Sequence, residues 1–258
     1  MSAVKAASLN PSAFVRDFSE AAAAQGFRLE RFGEIANCPL VAATKRTRGM
    51  RPRIYVSTGI HGDEPAGPHA LLELLKAGVF DARATWFLCP LLNPAGFLRA
   101  TRENAEGLDL NRDYKDLRSA EIRAHGAWLQ RQPNFDVTLC LHEDWESAGF
   151  YLYELNPANQ PTLADAMIAA VRKVCPIETA AIIDGRESAE PGIIRPIADP
   201  LLREMWPEAI YLRAHHTTLS YTLESPSALT LDVRVAALRA AVEAALAEFT
   251  RTARTMAG

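Results

Sequence analysis

Three short segments carry side chains suited to metal chemistry. In Gly59-Ile60-His61-Gly62-Asp63-Glu64, His61 and Glu64 stand three apart at the end of an apolar run. His142 ends a second apolar run, and Glu224 ends a third at Tyr221-Thr222-Leu223-Glu224. Two imidazoles and a carboxylate are a ligand set for a catalytic Zn²⁺ that keeps one position open for water. Glu224 is then a spare carboxylate for proton transfer. On this reading the chain is expected to be a metal-dependent hydrolase. Each piece alone has an ordinary reading. A surface turn with Glu64 at a helix N-terminus explains His-x-x-Glu, and a lone His142 suits a core or rim position. A carboxylate at a strand end, such as Glu224, must be solvated, paired or functional.

The neighbours of these residues add candidates. Glu143 and Asp144 follow His142 and can also serve as ligands, although strand alternation turns Glu143 away from His142 and puts Cys140 on the His142 face. Asn111-Arg112 lies in a long polar segment, and arginine's planar fork holds a carboxylate through two parallel hydrogen bonds. Arg99 and Arg102 lie upstream, and either can stabilise charge developing on a carbonyl oxygen. The ordinary reading here is a solvated loop with Asp109, Asp113 and Asp116 as partners. His215-His216, an adjacent pair read as part of a strand, point to opposite faces and make a poor second metal site. His69 and His125 read as helix residues.

The surrounding pattern must position these groups. Asn10-Pro11 reads as an N-cap with Pro at the first helical position, and Gly26 as the stop of that helix. Helices are expected over residues 65–77, 119–131, 161–174 and 231–249, and strands over 27–30, 40–43, 53–58, 85–89, 136–141, 149–153, 180–183 and 217–223. Residues 90–117 and 185–208 read as two long loops, and connections of that length are uncommon unless functional. Strands and helices interleave, with no linker and no repeat. The expectation is one three-layer α/β domain over residues 1–258 with a mostly parallel sheet, whose carboxyl-terminal strand ends gather His61, Glu64, His142 and Glu224.

Composition excludes several classes. The net charge of −3 gives no footprint for nucleic acid or an anionic membrane. No window approaches the roughly 18 apolar residues of a membrane span. Cys38, Cys89, Cys140 and Cys175 are scattered. Without a signal peptide, they predict reduced thiols and a cytoplasmic protein. No G-x-S-x-G elbow supports a serine hydrolase.

Taken together, G-I-H-G-D-E (59–64), N-P-A-G-F (93–97), T-R-E-N (101–104), D-L-N-R (109–112), L-H (141–142) and L-E-S-P-S (223–227) resemble, in order, the motifs of the zinc carboxypeptidases of the carboxypeptidase A type and their compact bacterial relatives. The resemblance implies a mixed, roughly eight-stranded sheet flanked by helices and one Zn²⁺ held by His61, Glu64 and His142. It implies Glu224 as general base, Arg102 (Arg99 less well matched) at the scissile carbonyl, and Asn111 with Arg112 on the substrate carboxylate. It implies hydrolysis of an amide beside a free carboxylate, in a small peptide such as a γ-D-glutamyl-diaminopimelate muropeptide. The same pieces are similar to a branch containing succinylglutamate desuccinylase and aspartoacylase, which acts on N-acyl amino acids. Members of that branch typically carry a further C-terminal β-rich domain, and here only one helix's length follows Glu224, so the peptidase reading is preferred. A catalytically silent metal- or peptide-binding protein is the alternative of another class. Two features depart from the pattern: Glu143-Asp144-Trp145-Glu146-Ser147, whose acids either select a basic substrate or are solvated, and an assisting tyrosine, for which Tyr211 and Tyr221 are the candidates. The loop over 185–208, with Arg186 and Arg195, is placed to cover the pocket.

Overall fold

The computed structural model describes residues 9–197 and 199–256. The chain begins with α1 (Pro11–Ala24), β1 (Arg28–Ile35), β2 (Cys38–Lys45), β3 (Arg53–Thr58), α2 (Ala66–Lys76), β4 (Thr85–Cys89), α3 (Pro94–Arg99) and α4 (Ala120–Leu129). It continues through β5 (Val137–Asp144), β6 (Tyr151–Leu155), α5 (Ala164–Val171), β7 (Ile182–Ile183), β8 (Arg186–Glu187), β9 (Ile193–Ile194), α6 (Glu208–His215), β10 (Ser220–Pro226) and α7 (Leu231–Met256).

Local chemistry sets several of these boundaries. Asn10 caps α1 by accepting from Ala13 N at 2.9 Å, with Pro11 opening the helix. Its stripe of Phe14, Val15, Phe18 and Ala22 is buried, as the spacing predicts. Ala36 and Asn37, both at positive φ, turn β1 into β2 as an antiparallel hairpin.

Eight strands form one mixed sheet in the order β1-β2-β4-β3-β5-β10-β6-β9. At its centre β4, β3, β5 and β10 run parallel. β2 joins β4, and β6 joins β10, in antiparallel pairs. The central strands are buried on both faces, which is why they read as unbroken apolar runs. One face packs against α1, α2, α5 and α7 through residues such as Phe18, Leu71, Met167 and Leu238. The other packs against α4 and α6 through Ile122, Trp128, Tyr211 and Leu212. This is the expected three-layer α/β architecture.

Four details differ from the sequence expectation. Residues Pro94–Arg99 form a short helix inside the first long loop, with Asn93 as its cap. Residues Glu208–His215 form α6, so His215 ends a helix and is not in a strand. Ile182–Ile183 pairs only with Arg186–Glu187, in a small separate hairpin. Ile193–Ile194, within the second long loop, adds the last strand of the main sheet. Among the described residues no helix is long and apolar enough to cross a membrane.

Candidate active site

His61 and Glu64 sit in the turn between β3 and α2, His142 near the end of β5 and Glu224 near the end of β10. These are three adjacent parallel strands, so the sheet gathers the residues at one edge. Gly59 takes a φ of +66° at the end of β3, a region that favours glycine. Gly62 has no room for a side chain, because a Cβ there would run into the backbone of Gly96. Asn93 holds the turn from the other side, donating to Ile60 O at 3.1 Å while capping α3.

The buried triad of His61, Glu64 and His142 offers ligand atoms that all lie within 4.8 Å of one another. Glu64 faces both imidazoles: its Oε1 is 2.5 Å from His61 Nδ1 and its Oε2 is 3.1 Å from His142 Nδ1. Burial disfavours the carboxylate, but His61 and then His142 outweigh it and hold Glu64 well below the usual carboxylate range. Burial also opposes protonation of His61, yet Glu64 and Asp109 push it up to about 8. His142 is lowered by burial, with Glu64 only partly compensating.

Asp109, which the sequence alone presents as one of the loop's charges, is the hub of the neighbouring segment. Its Oδ1 lies 3.2 Å from His61 Nε2 and accepts from Asn111 N at 2.9 Å. Its Oδ2 accepts from Arg102 Nε at 3.0 Å. The signal was its place two residues before Asn111, where an Asp side chain closes a turn on the backbone. Asn111 and Arg112 form the 3-10 turn that follows. Asn111 Oδ1 accepts from Glu208 N at 2.9 Å, so its amide hydrogens are the groups left to face outward. Arg112 Nη1 donates to Asn111 O at 2.8 Å.

Glu224 lies between His142 on β5 and Tyr151 on β6 in direct register. Side chains opposed in this way share a face roughly 5 Å apart. Burial first, then Glu64 and Asp144, raise Glu224 well above the usual carboxylate range. One cavity of about 390 Å³ is lined by the principal candidates from the sequence: His61, Glu64, Arg102, Asn111, Arg112, His142 and Glu224.

Several secondary candidates fall elsewhere. Arg99 donates to Ala105 O at 3.0 Å and does not line the cavity. Tyr211 packs in the aromatic core, and Tyr221 donates to Glu154 at 2.9 Å, whereas Tyr151 and Tyr153 line the cavity. Tyr151 OH donates to Asp144 Oδ2 at 3.0 Å. Of the acids after His142, Glu143 is buried against Arg234, Asp144 holds Tyr151, and Glu146 is exposed. The second long loop is a wall of the cavity through Arg186, Pro196, Pro200, Arg203 and Pro207. Arg195 instead pairs with Glu154 and Glu190, each at 2.6 Å.

Comparison with known proteins identifies the fold and the family. The fold is shared with metallo-carboxypeptidases. A crystal structure of a provisionally named metallopeptidase from Shewanella amazonensis superposes with a TM-score of 0.79 at 25% identity, over 91% of each chain. That of a metallo-carboxypeptidase from Burkholderia cenocepacia superposes with a TM-score of 0.67 at 19% identity, over 93% of this chain and 68% of its own. Among curated proteins, carboxypeptidase SOL1 of Arabidopsis thaliana is 34% identical over 104 residues, 32% of this chain and 21% of SOL1. The chain therefore matches about a fifth of the length of that relative. The profile of the succinylglutamate desuccinylase/aspartoacylase catalytic domain matches residues 50–257. The chain belongs to that family, a hydrolase family of the metallopeptidase/deacylase type, and the match falls on the branch that the sequence reading had placed second.

Proposed function

We propose that this chain is a single zinc-dependent catalytic domain that hydrolyses an amide bond beside a free carboxylate. The observation that carries the proposal is one cavity lined together by the His61–Glu64–His142 triad, Glu224, Arg102 and the Asn111–Arg112 pair. The donor set fits zinc: two imidazole nitrogens and a carboxylate converge, which leaves a fourth position free. Asp109 behind His61 is the kind of outer partner that orients a ligating imidazole. Held by His61, Glu64 and His142, Zn²⁺ would supply Lewis acidity toward the carbonyl and the attacking water.

The chain's own residues do the rest. Arg112 and the Asn111 amide grip the substrate carboxylate and set the amide against the triad. Arg102, held through Nε by Asp109 and with Nη1 3.4 Å from Glu64 Oε1, presents the remaining nitrogen, Nη2, to the carbonyl oxygen as negative charge develops there. Glu224 acts as the carboxylate, taking the proton of the attacking water and returning it to the leaving nitrogen; burial, Glu64 and Asp144, which raise its affinity for a proton, favour that uptake. The general reading is a metallocarboxypeptidase that removes a C-terminal residue from a small peptide, muropeptides included.

A second reading, deacylation of an N-acyl amino acid, is favoured by the family match and by one feature of the cavity. Arg112, Arg186 and Arg203 all line it, and none is in an ion pair among the described residues. Arg203 is lowered by burial and by Arg186 and Arg112, the mark of like charges in proximity. Such a wall suits an acidic amino acid. The four free, buried cysteines fit a reducing compartment such as the cytoplasm. The deciding experiment is mass-spectrometric product analysis of zinc-loaded protein on peptides, γ-D-glutamyl muropeptides and N-acyl amino acids, with Glu224→Gln as control. Loss of a C-terminal residue supports the peptidase, release of the acyl group supports the deacylase, and no Glu224-dependent product refutes both.

A further inference from the structure

Glu143 follows the candidate ligand His142 but faces the opposite side of β5, toward α2 and α7. Its side chain is fully buried. One carboxylate oxygen accepts from Ala66 N, the first residue of α2, at 2.6 Å. The other is ion-paired with Arg234 Nη1 in the first turn of α7, and Arg234 is itself 7% exposed. The peptide N–H of Glu143 donates to Glu64 Oε2 at 3.1 Å. The oxygen of Glu64 that faces His142 is therefore held by the backbone of the residue whose side chain Arg234 secures.

We infer that Arg234, acting through Glu143, is a positioning residue for the metal-binding triad. The physical reason is charge. Glu143 and Glu64 are neighbouring buried carboxylates, and Arg234 is the cation that lets Glu143 remain there. A buried charge left without its partner is strongly unfavourable, so removal of Arg234 drives Glu143, and its peptide N–H, out of the geometry that orients Glu64. The same ion pair joins the start of α2, two residues beyond Glu64, to the C-terminal helix. A helix more than 80 residues after His142 in sequence thereby becomes part of the scaffold of the triad.

The inference rests on the metal-centre reading above, and its test uses metal affinity. The Zn²⁺ dissociation constant would be measured by competition with a chromophoric chelator for the wild type, Arg234→Met, Arg234→Lys and the double variant Glu143→Gln/Arg234→Met, each first checked for cooperative thermal unfolding. Arg234→Met is expected to weaken Zn²⁺ binding about 10- to 100-fold, the usual effect of losing an outer partner of a metal ligand. Arg234→Lys should recover most of the loss. The double variant strands no charge, and the amide oxygen introduced by Glu143→Gln still accepts from Ala66 N. It should bind Zn²⁺ within about threefold of the wild type. Affinity unchanged in Arg234→Met, or a double variant as weak as the single one, overturns the inference while leaving the metal centre intact. If Arg234→Met does not fold, the double variant and Arg234→Lys decide by the same criteria. A folded wild type that binds no Zn²⁺ overturns the metal centre and this inference together.

Discussion

Asp109→Asn is the most discriminating perturbation of the proposed site, because it changes charge with almost no change in volume. Asp109 serves three groups: His61 Nε2 at 3.2 Å and Asn111 N at 2.9 Å through Oδ1, and Arg102 Nε at 3.0 Å through Oδ2. Asparagine keeps a carbonyl oxygen for the first two, but its NH₂ then meets the Arg102 N–H, donor against donor. A charge-assisted hydrogen bond is worth about 1.5–3 kcal/mol. Arg102 and Asp109 are 34% and 24% exposed, so the lower end applies, about tenfold in rate if the whole effect falls on the transition state. Loss of the negative charge behind His61 adds a further factor of about 10–100 through metal affinity. The expected outcome is a fall in kcat/KM of about 10²–10³ at limiting Zn²⁺, partly recovered at saturating metal. Steady-state kinetics on the substrate found by product analysis, run as a Zn²⁺ titration, measures both parts. The exposed pair Asp81–Arg83 supplies the control, since Asp81→Asn should leave the rate unchanged. A kcat/KM within threefold of wild type at every Zn²⁺ concentration would refute the assignment of Asp109 as the hub.

Three further outcomes follow from the same geometry. Glu224→Gln should lower kcat by about 10²–10⁴-fold while Zn²⁺ is retained; near-normal turnover by the metal-loaded variant removes Glu224 from proton transfer. Arg112→Ala should raise KM for carboxylate-bearing substrates and leave their amidated analogues unaffected. Arg112→Lys should not recover it fully, because the planar fork is lost; equal losses on both substrate types contradict the clamp. His125, buried and pushed down to about 3 by burial and by His216, stays neutral in the folded chain. Its ordinary value is near 6.5, so its contribution to stability is complete above that pH and is lost as pH falls from 6.5 toward 3. Between pH 7 and pH 5 the unfolding free energy should fall by about 2 kcal/mol more in the wild type than in His125→Gln, measured by urea denaturation; parallel pH profiles would show that His125 does not titrate on unfolding.

Much of the candidate site is legible in the sequence because its residues terminate apolar runs. β3, β5 and β10 are buried on both faces, so a polar residue at the end of each stands out against the strand, and adjacent parallel strands bring three such ends together. What escaped was short or nonlocal. Asn93-Pro94-Ala95-Gly96 reads as a turn, although Asn and Pro in that order also open a helix, and α3 uses them so. α6 is only 8 residues long and ends in a histidine pair, too short for a periodic pattern. The sequence points to Tyr211 and Tyr221 and not to Tyr151, whose place beside Glu224 depends on which strand pairs with β10, and no local pattern encodes that. The ion pair of Glu143 with Arg234 spans 91 residues and follows only from the stacking of α7 on the sheet.

The carboxylates that scaffold these segments share a logic. Three carboxylates, Asp109, Glu143 and Glu208, each tie a segment that bears a candidate site residue to an element far away in sequence. Asp109 binds the first long loop to His61 and Arg102. Glu143 binds the start of α2 to α7. Glu208 offers its peptide N–H to Asn111, and its carboxylate accepts from Tyr55 at 2.6 Å and Ser57 at 2.9 Å on β3. Burial raises Glu208 to about 7, so it adds less fixed charge than an ordinary carboxylate while still anchoring α6. Loops of this length would otherwise surrender their geometry to conformational entropy. Placing an acid at the base of each keeps Asn111, Arg102 and the His61–Glu64–His142 cluster in register with the sheet. The consequence is that damage to the site by mutation should concentrate at these three positions nearly as much as at the residues lining the cavity.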